Sequence, residues 1–218
     1  MERNQEQRLE HIAVTYNTLA GEWARKFANE HDRKPRDREM LQLFASEIGK
    51  RGPVWDLGCG PGCTSAYLNQ LGVSASGLDI SSQLIEEATR AYPHIPFVLG
   101  NMLELPFAED EVAGLVSFYG IVHFTPEEVQ QTFDEVFRVL QENGLFLCTY
   151  HVGDESLHIE EFLGHPVDID FHHFTTIFIT DCLKKSGFDQ IAVVEREPYP
   201  ELEHPSRRAY AFARKMGG

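Results

Sequence analysis

The stretch Val54-Trp55-Asp56-Leu57-Gly58-Cys59-Gly60-Pro61-Gly62 constrains this chain more than any other. An apolar run passes straight into a glycine-rich turn, and a helical pattern over Thr64–Leu71 follows it. Such a turn lets the backbone approach a ligand where a Cβ would collide, and it aims helix N–H groups outward. Spacing separates two readings. The dinucleotide fingerprint G-x-G-x-x-G needs a glycine at position 63, where this chain has Cys63. Here the glycines stand at 58, 60 and 62, with Asp56 two residues ahead of the first.

Around this turn, short apolar runs alternate with helical patterns. Val54–Leu57 precedes Thr64–Leu71, Val73–Leu78 precedes Ser81–Ala91, and Phe97–Leu99 stands next. Val112–Phe118 precedes Pro126–Leu140, and Leu145–Tyr150 follows. Alternation of this kind means right-handed crossovers and a parallel sheet covered on both faces. Thr125-Pro126-Glu127-Glu128 is a capping box with proline at the first helical position, and Asn143-Gly144 is expected to end that helix. Ahead of the core, Leu9, Ile12, Tyr16, Leu19, Trp23 and Phe27 share one helical stripe. A charged break at 29–38 containing Pro35 separates it from a second helical pattern over Met40–Ile48. Segment 151–174 shows no clear period and reads as an irregular insertion. A helix over Thr176–Lys185 and two strand-like runs, Gln190–Glu195 and Arg208–Arg214, complete a single domain over 1–218. Within it, 1–50 is a helical cap, 53–150 the binding core and 175–218 a helix with a strand pair.

Further motifs agree with the turn. Gly77-Leu78-Asp79-Ile80-Ser81 ends the second strand with an acid, Asp79. Gly100-Asn101-Met102 follows the third strand, and Ser117-Phe118-Tyr119-Gly120-Ile121-Val122-His123-Phe124 follows the fourth. Together these motifs, over residues 54–150, resemble the class I S-adenosylmethionine-dependent methyltransferases of small-molecule type. The resemblance implies a Rossmann-like, doubly wound α/β sheet of seven strands in the order 3-2-1-4-5-7-6, one of them antiparallel, with a helical cap over the cofactor cleft. It implies S-adenosyl-L-methionine as cofactor, S-adenosyl-L-homocysteine as product and an unidentified small-molecule acceptor.

The cofactor contacts so implied are Tyr16, Asp56, Gly58, Cys59, Gly60, Asp79, Ile80, Asn101, Met102 and Phe118. In that reading Asp79 accepts both ribose hydroxyls, Asn101 takes the adenine amino group, and Phe118 faces the methionine moiety. Tyr16 either packs on the sheet or reaches the cofactor from the cap. The acid that many relatives carry before strand four is replaced by Ala113.

Methyl transfer from a sulfonium needs alignment and a dry pocket more than it needs catalytic groups. A hydroxyl or protonated amine acceptor also needs a base, and histidine titrates near neutral pH. His123, in the loop after strand four, is the first candidate, with an expected pKa near 6–7. His151, just past strand five, is the second. Tyr119 and His123 are the expected acceptor contacts. No metal is expected: Cys59 and Cys63 lack a second ligand pair, and neither strand end carries the paired acids of Mg²⁺-dependent relatives.

Nineteen Lys+Arg against 34 Asp+Glu give a net charge of −15, a field that repels phosphate backbones and anionic lipid. Nucleic acid and membrane are therefore not expected partners, and no apolar run approaches the roughly 18 residues of a membrane span. The four cysteines form no C-x-x-C pair and read as free thiols of a reducing, cytoplasmic compartment. Two rival functions remain: a nicotinamide-dependent oxidoreductase, opposed by Cys63, and a cofactor-binding protein without catalysis.

Overall fold

The computed structural model describes residues 4–217. The core alternates as the apolar runs require: β1 (Val54–Leu57), α4 (Cys63–Gln70), β2 (Ala75–Asp79), α5 (Ser82–Ala91), β3 (Phe97–Leu99), β4 (Val112–Phe118), α6 (Pro126–Val139) and β5 (Leu140–Val152). These are preceded by α1 (Gln5–Phe27), α2 (Glu30–Arg33) and α3 (Pro35–Ile48). They are followed by β6 (Ser156–Phe162), β7 (His165–His172), α7 (Thr176–Ser186), β8 (Gln190–Arg196) and β9 (Arg207–Arg214). The main sheet has seven strands in the order β3-β2-β1-β4-β5-β9-β8. With the β6–β7 hairpin set aside, that is the expected 3-2-1-4-5-7-6. β9 slots between β5 and β8 and runs antiparallel to both.

Burial explains the layers. Val129, Phe133 and Val136 of α6, with Ile179 and Leu183 of α7, pack with Leu115 and Phe146 on one face. Leu41, Phe44 and Ile48 of α3, with Leu68 of α4, pack with Val54, Val116, Leu147 and Tyr210 on the other. Gly114 permits this close approach, because a Cβ there would lie 2.9 Å from the Phe44 ring.

The structure corrects the sequence reading in three places. Segment 29–38 is largely helical: Pro35 opens α3 at its first turn rather than breaking a helix, because its fixed φ suits that position. Asn143-Gly144 does not follow the end of a helix but lies inside β5, where Asn143 takes φ 62° and the register with β4 shifts. Segment 151–174 is not irregular. It contains the antiparallel hairpin β6–β7, turned at Leu163 and Gly164 with φ of 54° and 80°. Leu157 and Ile159, then Val167, Ile169 and Phe171, alternate toward the interior with period two. A register shift between Ile159 and Glu161, together with Pro166, masks that period in the sequence.

Candidate active site

The turn after β1 is held from behind. Gly58 N–H and Cys59 N–H donate to the Leu78 carbonyl at 2.8 and 3.1 Å, and Gly60 N–H donates to Asp79 Oδ2 at 2.8 Å. Asp79 Oδ1 accepts from Ser81 N–H at 2.8 Å, so one carboxylate ties the turn to the start of α5. Burial raises the pKa of Asp79 even though three backbone N–H groups hold it down. The glycines differ in purpose. A Cβ on Gly62 would lie 2.6 Å from the Phe97 ring, so this glycine serves packing. A Cβ on Gly60 meets nothing nearer than Trp23 Nε1 at 3.7 Å and would project into open space. Gly60 also has φ 52°, a conformation that side chains resist.

That open space is a cavity of about 420 Å³, a size that suits an enclosed small ligand. Gly58, Cys59, Gly60, Asp79 and Ile80 line one half, joined by Asn101 and Met102. Asn101 Oδ1 already accepts from Leu103 N–H at 2.9 Å, which fixes the side chain in a local turn. Phe118, Tyr119 and His123, from the end of β4 and the loop after it, stand between the two halves. Asp56 does not line the cavity. Its Oδ2 accepts from Ser65 N–H at 3.1 Å and Ser65 Oγ at 2.8 Å, clamping β1 to α4, and burial raises its pKa to about 7.

Tyr16 reaches the cavity from α1, and its hydroxyl lies 2.8 Å from His123 Nε2. His123 Nδ1 lies 2.7 Å from the Asp170 carbonyl of β7. A carbonyl only accepts, so Nδ1 carries the proton and Nε2 accepts from the Tyr16 O–H. Burial pushes His123 down to about 4 and raises Tyr16. His151 Nδ1 lies 2.7 Å from Ser206 Oγ, and its ring stacks with His173 at 5.4 Å. Burial, then the nearby Arg208 charge, pushes His151 down to about 3. Tyr119 takes φ 57°, which sets its ring 5.0 Å from that of His151.

The far half contains residues that no sequence pattern marked. His31 comes from α2, and Lys34 from the kink before α3. Arg208 comes from β9, and Glu203 from the link between β8 and β9. The hairpin contributes Phe162 and Phe171, whose rings meet Trp23 of α1 at 5.6 Å and His123 at 4.5 Å. Period-two alternation in the hairpin was the one available signal. The others come from segments whose meeting depends on the whole topology. Among the described residues, no three His, Cys, Asp or Glu side chains cluster to hold a metal ion, and no helix is long and apolar enough to cross a membrane.

Comparison with known proteins agrees with this arrangement. Residues 54–144 match the methyltransferase domain family. An uncharacterized methyltransferase of Synechocystis sp. is 34% identical over 106 residues, 49% of each chain. One from Oceanobacillus iheyensis is 26% identical over 168 residues, 76% of this chain and 71% of its own. The chain spans about half the length of the first two curated relatives it matches, 49% and 51%. Among solved structures, a SAM-dependent methyltransferase from Methanosarcina mazei superposes with a TM-score of 0.67 at 22% identity, over 76% of this chain and 93% of that one. An S-adenosylmethionine-dependent methyltransferase from Mesorhizobium loti gives 0.62 at 23% identity, over 81% and 96%. The fold, the strand order and the glycine turn with its strand-two acid thus coincide with the match of residues 54–144 to the methyltransferase domain family, and together they support a class I S-adenosylmethionine-dependent methyltransferase.

Proposed function

We propose that this protein transfers a methyl group from S-adenosylmethionine to a small-molecule acceptor. The observation that carries this reading is the Gly60–Asp79 hydrogen bond, which sets a Cβ-free backbone and a buried carboxylate side by side on one wall of the cavity. That wall fits an adenosyl group. Asp79 keeps lone pairs for ribose hydroxyls, Gly58 and Gly60 leave room for close approach, and Asn101, Met102 and Ile80 line the adenine side. Cys59 belongs to the same wall. When bound, the cofactor supplies a methyl group already activated on a sulfonium.

The chain's own residues then bind, orient and exclude water. Phe118, Tyr119 and Tyr16 stand where the two halves meet, and the hairpin with α1 encloses them. His123 acts as a positioning residue. Both ring nitrogens are engaged, and with a pKa near 4 it holds the Tyr16 hydroxyl in place instead of titrating near neutrality. His151, held at about 3 by burial and the Arg208 charge, is likewise a neutral imidazole and lines the cavity as a polar contact for the acceptor. Asp56 supports the turn from behind. The four free cysteines support a reducing, cytoplasmic location.

Calorimetry with S-adenosylhomocysteine and with NADH tests the cofactor, and a labelled-methyl screen over metabolite pools tests transfer. S-adenosylhomocysteine should bind and NADH should not. Binding of NADH alone would replace this reading with hydride transfer. Cofactor binding with no label transferred to any pool would support a binding protein.

A further inference from the structure

The far half of the cavity holds two buried cations, Lys34 and Arg208, beside Glu203 and the neutral imidazoles of His31 and His151. Buried charges of this kind are normally matched one to one. Lys34 Nζ pairs with Glu30 and lies 3.3 Å from Glu203 Oε1. Arg196 grips Glu203 with two nitrogens at 2.6 and 2.8 Å and reaches Asp37 Oδ1 at 3.1 Å. Against the pull of burial, Arg196 and its neighbours hold the Glu203 carboxyl at about 2.

Arg208 is ion-paired with the same Glu203 carboxylate, but its hydrogen bonds go elsewhere. Its Nη1 donates to the carbonyls of His204, at 2.9 Å, and Ser206. Its Nε lies 3.2 Å from Glu203 Oε1 but out of line for a hydrogen bond, and it is a buried donor without an acceptor. The Nε–Nη2 edge of this guanidinium is therefore ion-paired to Glu203 at Nε but makes no aligned hydrogen bond among the described residues. It is the edge that binds a two-oxygen anion bidentately. His31 Nδ1, on the same cavity wall, is likewise buried without a partner, its Nε2 being 3.0 Å from Thr64 Oγ1.

We propose that this end of the cavity is an oxyanion subsite, and that the methyl acceptor carries a carboxylate or phosphate group held by Arg208 and Lys34. The anion supplies the acceptor atoms that the Arg208 edge lacks, and it reaches a third N–H of Lys34. The body of the acceptor then lies toward Tyr119 and Phe118, against rings rather than charges. The assignment of these residues to an acceptor rests on the methyl-transfer reading; the anion subsite itself does not.

The test uses the full chain and three probes that share a ring and differ in head group: benzoate, phenyl phosphate and benzyl alcohol. S-adenosylhomocysteine is titrated first by calorimetry, and each probe is then titrated into the saturated and the cofactor-free protein. One of the two anions should bind at least about tenfold tighter than benzyl alcohol, in keeping with a charge-assisted bidentate pair. The tighter anion identifies the oxyanion. Arg208→Gln should erase the preference while S-adenosylhomocysteine affinity stays within about threefold. Because Arg208 is buried, melting curves check its fold, and Lys34→Gln, expected to cut the preference at least about threefold, serves as the second variant. Equal binding of all three probes, no binding of either anion, or an undiminished preference in a folded variant would overturn the subsite. An intact preference in a protein that binds no S-adenosylhomocysteine would overturn the methyl-transfer reading and leave the subsite standing.

Discussion

Beside the glycine turn, the polar groups facing Asp79 are backbone amides linked over short distances, Gly60 N–H and Ser81 N–H. In the far half they are side chains from separate segments: His31 and Lys34, His151, and Arg208. A backbone-built half binds through main-chain shape, so it needs glycine at particular positions and tolerates change elsewhere. A half built of side chains can change its ligand with one substitution while the sheet stays intact. One fold can thus keep a fixed cofactor and vary the acceptor.

If the two halves are separable in this way, substitutions beside the turn should abolish cofactor binding, and those in the far half should spare it. The largest effect is expected for Gly60→Val, which places a branched Cβ in open cavity at a positive φ. S-adenosylhomocysteine affinity should fall by more than about 100-fold, with circular dichroism close to wild type. Persistent binding in a folded variant would break the comparison at its first half.

The next concerns His123→Gln and pH. Folded His123 stays neutral down to about pH 4, whereas the unfolded chain takes up a proton near 6.5. Protonation therefore favours unfolding inside that window, and stability is lost as pH falls through it. Wild type should lose about 1.4 kcal/mol per pH unit relative to the variant between those values. Urea melts at pH 7 and pH 5 measure this. A difference independent of pH would mean that His123 is not buried and neutral as described. In the same variant the rate of methyl transfer should fall without removing a titration near pH 6–7.

Asp79→Ala should weaken S-adenosylhomocysteine by about 2–3 kcal/mol, the loss of a buried charged hydrogen-bond partner. An unchanged dissociation constant would remove Asp79 from the ribose site. The smallest effect is expected for Tyr16→Phe, which leaves His123 Nε2 without its donor at a cost of about 1 kcal/mol in stability. Its cofactor affinity sharpens the comparison: a change of more than about threefold would place Tyr16 in the cofactor half instead of at the junction.

The same contrast explains what the sequence disclosed. The glycine turn and Asp79 follow from local rules, an apolar run, a spacing of glycines and an acid at a strand end, while the strand order comes only with the family resemblance that these motifs carry. Each of those rules is contained in a few consecutive residues. Arg208 and His31 carry no such mark, because their significance arises only when β9 slots beside β5 and α2 folds over the strand ends. The hairpin was hidden for another reason. Its outward face is unusually polar, with His158, Asp168 and Asp170 exposed, and Pro166 interrupts the alternation. His123 shows a third limit. Its position was legible, but its protonation depends on burial and then on the Asp170 carbonyl, 47 residues away.

Asn17 of α1 accepts at 2.8 Å from Ser81 Oγ and at 3.1 Å from Gln83 N–H, so the wall of the cavity doubles as a cap for α5. Lifting α1 strips those partners from the helix start next to Asp79. Hydrogen–deuterium exchange at Gln83 therefore reads how often the two helices part.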